Sequence, residues 1–461
     1  MPISIDLLCR LRQHNALHFL FIRVVRQHLG SPAGVGTFKH SATLKVVTGD
    51  VHNKYSRWND KPAKEGDILA DIIDLLIPLA ANNKRPFLLD FSPGEQAYVD
   101  VVINALCTGL EALGALRQEY SDLPYLEMKV VDWLGSAMAL PASFTHNGGT
   151  GGGYVLRSTK EAFTTAMAAA QQLKLQRIKS GTSVSKSEKH IIKRMVVYAS
   201  SQLDFDSGFY PVFVQALMGA SSTGSYDDIS SLLRVAYRYG LWLHVDASLG
   251  GNLLICNENC DMLRDIEKVH SISVDTHAFL MNAPQATFIW TRNLAVLERG
   301  RLVAEQSLNH NPGASDLYEP RPRTPLPALK AYMAMRLNGM NSSQKRIRHV
   351  YAMTKRLREF MSKDARLEII NNDRLNVICF RVKGTDIADS NVLTYRLCAF
   401  FNKSGRILVT HWMAHGMGMI RMCINHGNAN EKVIDEAWNV MKTLVDQFTG
   451  YLLRSYKCFS T

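Results

Sequence analysis

The 461-residue chain lacks any apolar run near the roughly 20 residues that a membrane-crossing helix needs, so no helical membrane span is expected. It also lacks a long basic block. Lys and Arg number 53 against 41 Asp and Glu, a net charge of +12, which favours acidic ligands in general. The cations are scattered, and the densest group is the short KSEKHIIKR at Lys186–Arg194. That scatter argues against a nucleic-acid partner. The eight cysteines (Cys9, Cys107, Cys256, Cys260, Cys379, Cys398, Cys423 and Cys458) show no disulfide framework. A chain this long buries a core without staples, so a reducing, cytoplasmic setting is the simpler expectation. Cys256 and Cys260 lie four apart on an expected helix, but no suitably placed His pair completes a tetrahedral set, and no metal site is expected. Acid is scarce at the start. LLCRLRQHNALHFLFIRVVRQHLG (Leu7–Gly30) carries Arg10, Arg12, Arg23 and Arg26, with Asp6 the nearest acid. Such a segment reads as a helix docking its apolar face on the body or on a second subunit, the alternative being a mitochondrial presequence.

What is present is the balance of a globular protein, 46% hydrophobic and 20% charged. A Gly, Ser and Pro-rich passage, Leu29–Ser41, follows the first helix, and DILADIIDLLIPLAA then repeats apolar residues at helical spacing. YLEMKVVDWLGSAMALP (Tyr125–Pro141) predicts a helix stopped by proline. From Gly148 a glycine-rich loop, a short apolar run and an Ala-rich helix follow one another. Strand candidates then alternate with helices: RMVVYAS (194–200), VFVQALMG (212–219), LWLHVDA (241–247), HSISVD (270–275) and ATFIWT (286–291). DDISSLLRVAYRYG between two of them is a helix with Asp227 and Asp228 at its positive end, Gly240 as its stop and an apolar stripe of Ile229, Leu232, Leu233 and Ala236. The alternation predicts an α/β fold with a mostly parallel sheet, and ligands at the carboxyl ends of its strands. Further on, NVICFRV (376–382), RILVT (406–410) and GMIRMCI (418–424) read as strands of a small α+β domain. It closes on a helix that buries Ile434, Ala437, Trp438, Met441 and Val445. The expected division is 1–87 as an N-terminal helical docking segment, 88–345 as the large domain and 346–461 as the small one.

Polar clusters fall at expected strand ends: Ser158 and Thr159 before a helix, Ser221 and Ser222 after Gly219, and His244 with Asp246. Small hydroxyl residues at a helix start suit a phosphate, and a carboxylate beyond a buried strand suits a protonated ring nitrogen. Both needs belong to pyridoxal 5'-phosphate. STK (Ser158–Lys160) has the spacing of a Ser–Lys hydrolase pair, but its expected place favours an anion contact. His411, at an expected strand end, has no visible partner.

The motifs resemble those of the group II pyridoxal-phosphate-dependent decarboxylases, in the aromatic-amino-acid and histidine decarboxylase branch. LWLHVDASLGGNLLIC (241–256) is similar to the family's strand motif. VVDWLGSAMALP (130–141), GGGYVLRSTKEA (151–162), GASSTGSYDDI (219–229) and LEIINNDRLNVICFRVKG (367–384) match in the same order, over roughly Asp67 to Phe448. The resemblance implies a fold-type-I, PLP-dependent-transferase-like large domain and a two-fold homodimer. It matches Asp246 with the carboxylate on the pyridine nitrogen, and Ser158 and Thr159 with phosphate-binding positions. Ser221 matches a cofactor-contacting Thr, and His244 and His277 match family histidines.

The departures concern chemistry. In SVDTHAFLMN (Ser273–Asn282), His277 is followed by Ala278, where the family carries the lysine of its Schiff base; a methyl forms no imine. Asp204 stands where the family stacks a His on the cofactor ring. Arg157 and Lys160 replace a Gly and a Ser of the phosphate loop. VAEQSLNHNPGASDLYEPRPRTP (303–325) is short against the family's mobile loop, with Ser307 near the catalytic Tyr position and Tyr318 outside the motif. The expectation is a decarboxylase-like pseudoenzyme with no catalytic residues, its family cofactor lost or held without a covalent bond. Its role would be ligand binding, or regulation as a homodimer or a heterodimer with an active relative. The alternatives are a weak or altered carboxy-lyase that binds pyridoxal phosphate non-covalently, and an interaction scaffold with a collapsed cleft.

Overall fold

The computed structural model describes residues 98–112, 122–181, 188–199, 210–220, 222–276, 286–309, 326–424 and 429–458. All belong to one compact unit, Asn83–Thr461. The N-terminal helix expectation, the helix near Asp67, and Asp204, Ser221, His277, Ala278 and Tyr318 lie outside the described residues.

Two helices come first, α1 (Tyr98–Ala112) and α2 (Leu123–Ala137). The helix expected to reach Pro141 stops at Ala137, and Ala139 takes a positive φ of 54° before Pro141. Strand β1 (Gly152–Leu156) leads into the long helix α3 (Thr159–Gly181), and a short helix α4 (Glu188–Ile192) precedes β2 (Met195–Ala199). Then come β3 (Tyr210–Leu217), α5 (Ile229–Tyr239), β4 (Trp242–Asp246), β5 (Ser271–Asp275), β6 (Thr287–Thr291) and α6 (Leu294–Asn309). Helix α5 starts and stops as its sequence requires. The Asp228 carboxylate accepts the Ser231 N–H at 3.2 Å, and Gly240 closes the helix in the left-handed conformation at φ 60°. Of its expected stripe, Ile229, Leu232 and Ala236 are buried and Leu233 packs beside them, half-buried.

The large sheet has the order β1-β6-β5-β4-β3-β2. Strands β2 to β5 are mutually parallel, and β6 runs against both β5 and β1. Strand β1 therefore points the same way as β5, which brings the start of α3 to the edge where the parallel strands end. Alternation along the strands sorts the two faces. Phe213 and Trp242 pack with Ala162, Ala166, Ala169 and Ala170 of α3 and with Val296 and Leu297 of α6. Val214, Ala216, Leu243 and Val245 face the other way, into a larger core. Small alanines let α3 lie close to the sheet, and α6 lies against α3.

That larger core continues through the C-terminal elements α7 (Leu326–Asn338), α8 (Met340–Ser362), β7 (Leu367–Ile369), β8 (Val377–Val382), α9 (Ile387–Lys403), β9 (Thr410–Ala414), β10 (Met417–Cys423) and α10 (Glu431–Cys458). The small sheet is antiparallel, in the order β7-β8-β10-β9. Ile434, Ala437, Met441 and Val445 of α10 are buried as their spacing predicts, with Trp438 half-buried beside them. One expected strand is displaced: β9 begins only at Thr410, so most of RILVT precedes it. Ile407 and Val409 are buried there while Leu408 is exposed, so the alternation that suggested a strand is real but belongs to an irregular approach segment. The segment around Cys256 and Cys260 also differs from expectation, forming short 3-10 turns rather than one α-helix.

Candidate functional site

The parallel strands end together at Ala199, Leu217, Asp246 and Asp275. In sequence, Asp204, Ser221 and the His277–Ala278 pair follow three of these ends. At the centre is Asp246, half-buried, at the tip of β4. Its backbone is fixed on both sides: its carbonyl accepts the Met218 N–H at 2.8 Å, and the next residue, Ala247, donates to the Ser273 carbonyl at 2.8 Å. Its carboxylate is also held. Oδ1 accepts the backbone N–H of Ser248 at 3.0 Å and the Ser248 hydroxyl at 2.5 Å, the local turn that an aspartate makes two residues back. Oδ2 accepts the side-chain amide of Gln215 at 3.1 Å, from β3.

Ser248 links this carboxylate to the start of α3, because its Oγ also lies 3.4 Å from Thr159 Oγ1. Ser158 is the N-cap: its carbonyl accepts the first helical bond from Ala162 at 3.1 Å, and its Oγ accepts the Glu161 N–H at 3.2 Å. Glu161 returns the favour one residue out, taking the Arg157 N–H at 2.9 Å, with the exposed Arg157 guanidinium 3.9 Å away. The N–H groups of Thr159 and Lys160 open the helix and have no intrahelical acceptor. The structure thus brings Ser158, Thr159 and Asp246 to one edge of the sheet.

His244 sits two residues deeper on the same face of β4 and is buried. Nδ1 lies 2.8 Å from Ser271 Oγ, Nε2 lies 3.2 Å from Ser273 Oγ, and the ring stacks on Phe213 with centroids 5.9 Å apart. Ser271 Oγ also accepts the Trp242 indole N–H at 2.8 Å. Burial lowers the imidazole to about 4, against the upward pull of Asp246, so the ring is neutral at pH 7. These are the contacts of a satisfied core histidine beneath the site. The turn after β3 is built by close backbone approach. A Cβ on Gly219 (φ +80°) would lie 2.9 Å from Gly250 Cα, and one on Gly250 would lie 2.3 Å from the Met218 carbonyl oxygen.

Two residues that sequence reasoning did not single out complete the site. Gln215 is the one amide in the apolar run of β3, and that isolation was a usable signal. Ser248 lies two residues beyond Asp246, the spacing of an aspartate turn. Elsewhere, the Cys256–Cys260 pair offers a metal little: Cys256 is buried, and burial reinforced by Glu258 pushes its thiol up to about 11.

The donors and acceptors suit the two ends of pyridoxal phosphate. Among the described residues, Asp246 Oδ1 accepts two bonds and Oδ2 accepts one, which puts a carboxylate at the end that a ring N–H would meet. At the other end, Thr159, Lys160 and the opening N–H groups of α3 suit an anion. Both ends lie within two hydrogen-bond lengths of Ser248.

Comparison with known proteins places the chain in a family. Residues 51–206 and 203–383 match the pyridoxal-dependent decarboxylase conserved domain. An aromatic-L-amino-acid decarboxylase of Catharanthus roseus is 26% identical over 435 residues, 84% of this chain and 85% of that protein. Among solved structures, Catharanthus roseus tryptophan decarboxylase in complex with L-tryptophan superposes with a TM-score of 0.76 at 23% identity, over 97% of this chain and 100% of that one. The Oryza sativa enzyme solved with PLP and tryptamine gives 0.76 at 22%, over 97% and 99%. These likenesses establish the fold-type-I architecture expected from the sequence. With a domain match that spans most of its length, the chain belongs to the pyridoxal-dependent decarboxylase family.

Proposed function

We propose that this chain is a non-decarboxylating member of its family, whose cleft at the carboxyl edge of the large sheet binds a phosphorylated pyridine without a covalent bond. One observation carries the reading: Ala278 follows His277 where the resemblance places the Schiff-base lysine. Pyridoxal phosphate, when bound, supplies an electron-withdrawing ring, and it does so best with its nitrogen protonated. This chain's own residues perform the binding. Asp246 stands at the ring-nitrogen end, and Thr159 with the α3 N-terminus receives the phosphate, which supplies most of the hold. Ser248 ties the two together. Without an anchoring amine the ligand exchanges freely, and the protein acts as a ligand-dependent partner, either as a homodimer or paired with an active relative. Among the described residues six cysteines are free, which supports a reducing setting.

The test is chemical. The purified protein is incubated with pyridoxal 5'-phosphate, reduced with borohydride and digested for mass spectrometry. The expected result is no phosphopyridoxyl-lysine at the cleft, reversible binding removed by dialysis, and no carbon dioxide from tryptophan, tyrosine or histidine. Carbon dioxide release at an ordinary enzymatic rate overturns the proposal. The aromatic substrates are chosen because the related proteins are named as aromatic-L-amino-acid and tryptophan decarboxylases.

A further inference from the structure

The charge of Asp246 is answered from within the protein. Three donors converge on one carboxylate: the Ser248 N–H and hydroxyl on Oδ1, and the Gln215 amide on Oδ2. The Gln215 contact is not local. It reaches from β3 to β4, between strands paired in register at Gln215 with His244 and Leu217 with Asp246. Side chains alternate along a strand, so Gln215, His244 and Asp246 share the α3-facing side. Beneath them His244 is neutral, its ring lying between Ser271 and Ser273. Among the described residues no cation takes part in this group, and the carboxylate is met by neutral hydrogen-bond donors.

A carboxylate carrying three donors is a weaker acceptor for a fourth. Each bond withdraws charge from the oxygens, and the remaining direction on Oδ2 lies beside an amide already seated there. We infer that Gln215 is a specificity-determining positioning residue: by occupying Asp246 it makes the cleft select ligands by their phosphate and ring shape rather than by a protonated ring nitrogen. This inference rests on the binding cleft proposed above, and it concerns what that cleft discriminates. It adds a consequence for the chemistry. A ring nitrogen weakly held by Asp246 keeps its proton less firmly, so the ring draws electrons less strongly, independently of the missing lysine.

The experiment measures selectivity, not activity. Pyridoxine 5'-phosphate has no aldehyde, so stray lysines add nothing to its binding. Its benzene counterpart, with C–H in place of the ring nitrogen, removes only the interaction in question. Both are titrated by calorimetry into the full-length wild-type protein and into Gln215→Met, which keeps the side-chain length and deletes the donor. The wild type is expected to bind the two ligands within about threefold of each other. Gln215→Met, with Oδ2 released, is expected to prefer the pyridine by about tenfold or more, the scale of one hydrogen bond to a charged group. Asp246→Asn in the Gln215→Met background is expected to remove that preference.

The wild-type ratio needs no variant, so a poorly folding Gln215→Met still leaves the inference exposed. A wild-type preference for the pyridine of about tenfold or more overturns it, as does an unchanged ratio in a folded Gln215→Met. If neither ligand binds, the cleft reading fails and this inference falls with it. If both bind but with strong nitrogen selectivity, the cleft reading stands and only the role of Gln215 is lost.

Discussion

The Ser158 hydroxyl accepts the backbone N–H of Glu161 at 3.2 Å, so the first hydroxyl of the phosphate-loop motif is also the cap of helix α3. The two roles are separable. Ser158→Ala removes the cap and should cost about 1 kcal/mol in urea unfolding. Ser158→Asp keeps a capping oxygen and suits the positive helix end, so its stability should stay within about 0.5 kcal/mol of wild type. The added charge repels a phosphate, and pyridoxine 5'-phosphate should bind Ser158→Asp about tenfold more weakly or worse. Equal affinity for Ser158→Asp and wild type would show that the ligand's anion lies elsewhere.

One buried and one half-buried histidine predict acid sensitivity. Burial lowers His244 to about 4 against Asp246, and it lowers His270 to about 4 with help from Arg292 and Arg177. His270 accepts the Leu243 N–H at 3.1 Å and stacks on Trp242 with centroids 5.0 Å apart. Both folded-state values lie below the ordinary value of 6.5, so the unfolded chain binds more protons in between. Their contribution to stability is complete above pH 6.5 and is lost as pH falls towards 4. Each accounts for a loss on the order of 3 kcal/mol over that window. Unfolding free energies at pH 7, 6, 5 and 4 should fall progressively, and His270→Asn should flatten the slope while lowering the plateau. A wild-type stability that is level from pH 7 to 4.5 contradicts the assignment.

The sequence alone conveyed the parallel sheet because Leu-Trp-Leu-His-Val-Asp and its companion runs are short, apolar and bounded by turn residues, and because helix α5 carries its own start and stop. The carboxyl-edge site followed from that order, with Asp246, Ser158 and Thr159 placed at strand and helix ends. What escaped notice depends on contacts across strands. The amide of Gln215 reaches Asp246 only because β3 and β4 pair in one register, and no local pattern specifies that register. The resemblance matches His244 with a family histidine, while its described partners Ser271 and Ser273 lie 27 and 29 residues further along, beyond any local pattern. RILVT misled for a related reason, since a buried–exposed–buried alternation arises wherever a chain lies flat on a core.

Helix α6 meets α3 where Gly300 faces Ala169. A Cβ on Gly300 would stand 2.4 Å from the Ala169 nitrogen and 2.6 Å from its Cα, and backbone cannot yield as a side-chain tip does. Gly300→Ala should therefore destabilise the protein by about 2–3 kcal/mol, the scale of an overpacked core. Gly109 in α1 is the control. A Cβ there meets nothing within 4 Å, so Gly109→Ala should gain about 0.5–1 kcal/mol from helix propensity. Thermal unfolding of the two variants side by side checks the contrast. A Gly300→Ala protein as stable as wild type would mean that the helices separate at little cost.

Ala278→Lys restores the amine but nothing else. Arg157 and Lys160 still stand where the resemblance places a Gly and a Ser of the phosphate loop, and Asp204 where it places the ring-stacking histidine. Asp246 still accepts three protein donors. An amine within reach of an aldehyde is sufficient for an imine, so the variant should gain a borohydride-reducible adduct with pyridoxal 5'-phosphate at residue 278. Decarboxylation asks for more: the ring must withdraw electrons, which the proposed occupation of Asp246 by Gln215 would weaken. Carbon dioxide release from tryptophan or tyrosine should remain at the level of free cofactor in buffer. The adduct and the gas are measured on the same sample, so the two requirements are read separately. An adduct without turnover would place the proposed loss of decarboxylation in the surroundings of the ring. Vigorous turnover would confine it to one side chain and remove the case for a wider decay of the site.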